Sequence, residues 1–79
     1  MEKLLDTLAK ALVDNPEQVS VEAVNEDDTV RMTLSVAAED MGKVIGKQGK
    51  IAKAIRAVVK AAAVKQDKKA IVDIKQNEN

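Results

Sequence analysis

The stretch Val44-Ile45-Gly46-Lys47-Gln48-Gly49-Lys50 decides how this chain is read. Two glycines bracket two polar residues, an apolar pair precedes them, and a lysine-bearing helical pattern follows. Such a segment is either a plain turn between helices or a loop built to meet phosphate. Neither familiar nucleotide-loop spacing fits. A G-x-x-x-x-G-K-[ST] loop fails because Gly42 and Gly46 are one residue too close, and Ile51 follows Gly49-Lys50. A dinucleotide loop needs G-x-G-x-x-G after a strand. Here the glycines fall at 42, 46 and 49, after a helical pattern. What remains is a short helix, G-x-x-G and a second helix.

Upstream, Glu39 and Asp40 suit the first turn of the short helix, where carboxylates meet the positive end of the helix dipole. That helix is expected to run into Val44-Ile45 and to break at Gly46. Before it, Val30, Met32, Leu34 and Val36 alternate with Arg31, Thr33 and Ser35, the period of a half-buried strand. Val19, Val21 and Ala23 alternate with Ser20 and Glu22 in the same way, and Asn25-Glu26-Asp27-Asp28 between them is turn material. An antiparallel hairpin is expected. Residues 2–13 carry Leu4, Leu5, Leu8, Ala9, Leu12 and Val13 at helical spacing, stopped by Asn15-Pro16.

Downstream, the second helix places Ile51, Ile55, Val58 and Ala62 on one stripe and Lys50, Lys53, Arg56 and Lys60 on a wet one. Ala54, Ala57, Ala61 and Val64 form a further small apolar stripe, suited either to packing the first helix or to a partner chain. Ala70, Val72 and Ile74 alternate with Ile71, Asp73 and Lys75 as a third strand. Gln76 to Asn79 reads as a frayed polar tail. The class is α+β in the order α-β-β-α-α-β, one domain over residues 1–79, with helices on one face of a three-stranded sheet.

Composition removes most chemistry. The chain has no His, Cys, Phe, Trp or Tyr. Zinc sites built on nitrogen and sulfur, and nucleophiles activated by histidine, are therefore out of reach. Glu26-Asp27-Asp28 lacks the spacing of a calcium loop. No catalytic residue, metal or cofactor is expected, nor a small-molecule substrate. No apolar run is long enough for a membrane span, so no membrane partner is expected and the default compartment is the cytoplasm. Net charge is zero, but unevenly spread: −7 over residues 1–42, +8 over 43–69 and −1 over 70–79. Local potential, rather than net charge, draws a polyanion to a site.

The run "VIGKQGKIAKAI" (Val44 to Ile55), set in this element order, resembles the KH domains, and the order is similar to their type II arrangement. The likeness covers essentially the whole chain and is greatest to the small stand-alone bacterial members. It implies an RNA-binding protein, an RNA chaperone or post-transcriptional regulator, whose Gly46-Lys47-Gln48-Gly49 loop clamps about four nucleotides of single-stranded RNA. Lys43, Lys50 and Lys53 would add charge around the loop. Val44, Ile45, Ile51 and Ile55 would line an apolar groove, with the third strand around Ile71 to Ile74 at its edge. Lys53 departs from the motif, standing where an apolar residue is usual. Gly42 is expected to permit close helix packing. The resemblance also implies a homodimer or assembly with a second KH protein. A mainly protein-assembling role, with RNA contact secondary, is the other reading.

Overall fold

The computed structural model describes residues 1–77 and, at Lys47, the backbone alone. The chain runs through helix α1 (Glu2–Leu12), a single 3-10 turn (Pro16–Gln18), strands β1 (Ser20–Glu26) and β2 (Thr29–Val36), helix α2 (Ala38–Lys65) and strand β3 (Lys69–Gln76). This is the expected α+β fold. The sheet is mixed, in the order β1-β2-β3: β1 is antiparallel to the central β2, and β3 is parallel to it. A parallel neighbour requires a crossover, and α2 supplies it.

The alternation read in the strands is the alternation of burial. Val30, Met32, Leu34 and Val36 of β2 are all buried. Val21 and Ala23 of β1 and Val72 of β3 turn the same way, and Leu5 and Ala9 of α1 close over them. The hairpin is tighter than the sequence suggested. Asn25 and Glu26 stay in the ladder opposite Val30 and Thr29, leaving Asp27 and Asp28 as the loop. Asp27 takes a left-handed φ of 53°, which aspartate tolerates better than most residues. The C-terminal stretch is firmer than expected. Gln76 belongs to β3, the Asn77 N–H donates to the Val36 carbonyl at 2.8 Å, and its side chain donates to the Gln18 carbonyl. The rest of the proposed tail, residues 78–79, lies outside the described residues.

The expected break at Gly46 is displaced. Helix α2 runs over 28 residues, but Gln48 and Gly49 within it take φ of 64° and 67°. Two successive left-handed residues interrupt a right-handed helix, so α2 consists of two halves joined by a two-residue inversion. Gly46 itself has no positive φ and belongs to the first half. The phase of the second half also differs from expectation. Its core stripe is Ala52, Ile55, Val59 and Ala63, whereas Val58 is 43% exposed. Ala54, Ala57, Ala61 and Val64 are exposed too, so this stripe does not pack α1.

One buried carboxylate ties the two helices together. Asp40, in the first turn of α2, is 1% exposed. Its Oδ1 accepts the Asp14 N–H at 3.1 Å, and its Oδ2 accepts the Asn15 N–H at 3.0 Å and the Asn15 Nδ2 at 3.3 Å. Lys43 Nζ completes the clasp on Asp14 Oδ1 at 3.3 Å. Burial alone would raise the Asp40 pKa. The N–H groups of Asp14 and Asn15, the Asn15 carboxamide and the Lys43 charge outweigh it and hold the carboxyl below its ordinary value.

Candidate nucleic-acid interface

The first half of α2 and the start of the second half border a cavity of about 260 Å³ lined by Gly42, Lys43, Gly46, Lys50 and Ile51. Gly42 and Gly46 stand four residues apart, hence on one helix face. A Cβ built on either would meet no atom within 4 Å. The room above them is not filled by protein, so close packing is not what keeps Gly42 small. The i, i+4 spacing of the two glycines was the available signal that both belong to one face. Gly49 differs: its φ of 67° is the conformation glycine adopts freely.

The structure separates the residues singled out from sequence. Gly46, Lys50, Ile51 and Lys43 border the cavity, and Lys43 shares its charge with Asp14. Gln48 projects at the inversion and is exposed, as are Lys50 and Lys53. Ile45 is 50% exposed, a large apolar residue without cover. Val44 and Ile55 are 0% and 1% exposed and belong to the core. Neither has surface with which to line a groove; they support the loop and the second half of α2 from beneath. Among the described residues no group of His, Cys, Asp and Glu could hold a metal ion, and no helix is long and apolar enough to cross a membrane.

The family described as "KhpA/KhpB, KH domain" matches residues 2–74. The chain belongs to that family. It is a family of KH proteins without enzymatic activity. The chain is 58% identical over 74 residues to "RNA-binding protein KhpA" of Clostridium acetobutylicum, covering 94% of this chain and 99% of that protein. The protein of the same name in Clostridium perfringens is 57% identical, with the same coverage. That of Listeria monocytogenes is 50% identical, covering 94% of this chain and 97% of its own length. No solved structure matches.

Proposed function

We propose that this protein binds single-stranded RNA, clamping the backbone of about four nucleotides at the Gly46–Gly49 turn, and serves as an RNA chaperone or post-transcriptional regulator. The observation that carries this reading is the cavity over Gly42 and Gly46: open space above bare backbone, with Lys43 and Lys50 on its rim. A nucleic-acid backbone can approach peptide groups there as it cannot approach a side chain. A helix that restarts presents N–H groups and partial positive charge, which favour phosphate. The relatives named as RNA-binding proteins point the same way.

Replacing Lys47 and Gln48 by Asp tests it by putting two carboxylates where phosphate would sit. Crosslinking to RNA in cells should be lost while the fold is kept. Crosslinking that persists unchanged excludes the loop as the RNA site.

A second reading has its own observation. Ala54, Ala57, Val58, Ala61 and Val64 are exposed on α2, an apolar stripe without cover. Small side chains allow a second helix to approach closely, which suits a homodimer or pairing with a KhpB-like KH protein. Sedimentation of a Val58→Glu variant checks it. A dimeric wild type and a monomeric variant support assembly through this face; identical masses refute it.

A further inference from the structure

The two edges of the sheet differ in kind. On the β3 side the chain is cationic: α2 and β3 leave openings of about 350 and 290 Å³, bordered by Arg56, Lys60, Lys68 and Lys69. The Arg56 Nε also donates to the Val72 carbonyl of β3 at 3.3 Å. β1 is the opposite edge. Among the described residues, no hydrogen bond from another element reaches its outer side. A cavity of about 310 Å³ lies there, lined by Glu2, Lys3 and Asp6 of α1 and Val21 of β1. A further one of about 180 Å³ is bordered by Met1, Glu2, Ala23 and Asn25. The cover given by the helices thins out at this edge. Val30, Met32 and Leu34 of β2 are buried, whereas Val21 and Ala23, on the same face of β1, are only half-buried.

The edge is also acidic. Residues 2–28 hold eight acids and two lysines. On the face of β1 away from the helices, Glu22, Val24 and Glu26 are exposed at alternate positions. Asp6 pairs with Lys10 at 3.0 Å and Glu26 with Arg31 at 3.2 Å. Among the described residues, Glu2 and Glu22 have no ion-pair partner.

We propose that the β1 edge docks an extended segment of another protein, one in which lysine or arginine alternates with aliphatic residues. The segment adds to the sheet as a fourth strand, and its backbone takes up the free N–H and C=O groups of β1. Its aliphatic side chains complete the cover of Val21 and Ala23. Its cations meet Glu22 and Glu26 across the ladder and lay their stems on Val24. Charge complementarity selects this partner. RNA is repelled by the same acids. A second copy joined β1 to β1 about a two-fold axis sets Glu22 and Glu26 beside acids, directly or diagonally, in every in-phase register. Because β1 and β3 are opposite edges, the docked segment leaves the cationic side of α2 free.

Amide shifts and hydrogen exchange of the full-length protein, titrated with a capped peptide of about nine alternating valines and lysines, test the proposal. Shifts should centre on Val21 to Asn25, and exchange should slow at alternate amides of β1. The same peptide methylated at every backbone nitrogen, and a valine–glutamate peptide, should do neither. Glu2→Lys/Glu22→Lys, at two exposed positions, should weaken the valine–lysine peptide about three- to tenfold. Equal binding by the methylated or the glutamate peptide overturns the proposal, as does a charge-reversed variant that binds unchanged. So do shifts confined to α2, or none at all. If the variant fails to fold, the three peptides on wild type decide alone. Protection of β1 amides that grows with the concentration of the free protein assigns the edge to a second copy. Shifts along β1 on adding an oligouridylate assign it to RNA. Either result also overturns the proposal.

Discussion

Gly46 and Gly49 share one short turn for different physical reasons. At Gly49 the backbone requires a left-handed φ, and a Cβ there costs about 1 kcal/mol. At Gly46 the backbone is ordinary and the space above is open, so alanine is free of clash and gains up to about 1 kcal/mol of helix propensity. Gly46→Ala is therefore expected to leave the urea midpoint unchanged or raised while weakening RNA binding; Gly49→Ala should lower the midpoint. A Gly46→Ala protein that binds RNA like wild type would exclude close backbone approach at that position. Asp40 provides a second prediction. Its folded-state pKa lies below its ordinary 3.8, so its hydrogen bonds contribute fully above that value and are lost as pH falls through the folded-state pKa. Asp40→Asn should cost about 2 kcal/mol at pH 7. In urea unfolding, that gap to wild type should hold from neutrality to about pH 5 and narrow below about pH 4. The clasp was half legible: the sequence placed Asp40 in a first turn, but its donors at Asp14 and Asn15 lie 26 and 25 residues away, and no periodicity reports them.

Among the elements, the strands were the easiest to read. A period of two has only two phases, and the apolar set of β2 selects one of them. A helix stripe is harder to phase. In α2 the adjacent Val58 and Val59 are each compatible with a 3.6-residue period, and alanines on every side add no contrast. The inversion at Gln48–Gly49 also resets the phase, so Val44 carries no information about the second half. The structure buries Val59 completely and leaves Val58 exposed. Val59→Ala should therefore cost about 1–2 kcal/mol and Val58→Ala close to nothing, by urea unfolding of the two variants. The end of α2 offers a stabilising change. The Lys68 N–H returns to the Ala63 carbonyl at 2.9 Å and the Asp67 N–H to the Val64 carbonyl at 3.0 Å, a Schellman closure with Asp67 at φ 55°. Asp67→Gly should raise the midpoint by relieving that left-handed position, by about 1 kcal/mol.

Across the whole molecule, neutrality is misleading. The acidic first half and basic second half separate cleanly in sequence, and the fold sets the basic segment on α2 and the edge of β3. If the proposed clamp holds three or four phosphates, then with no aromatic residue to stack a base, binding of a four-nucleotide strand should be micromolar or weaker. Its log K should fall with log salt at a slope of about −2 to −3. A salt-insensitive, nanomolar monomer would contradict the clamp. Element order, hairpin and loop were visible because each leaves a local pattern. The resemblance placed the third strand at a groove's edge, but the lining of the α2–β3 openings by Arg56, Lys60 and Val64 was not visible, because it arises only when residues 53–64 and 68–72 face each other.

That edge carries one more consequence. β3 ends the sheet with one side lacking a strand partner, and the Arg56 Nε donates to the Val72 carbonyl at 3.3 Å. An uncovered strand edge invites another strand to add to it, the usual route to unwanted association. Arg56 blocks that docking from within the chain, so the same guanidinium serves both the surface charge and the protection of the sheet against self-templating.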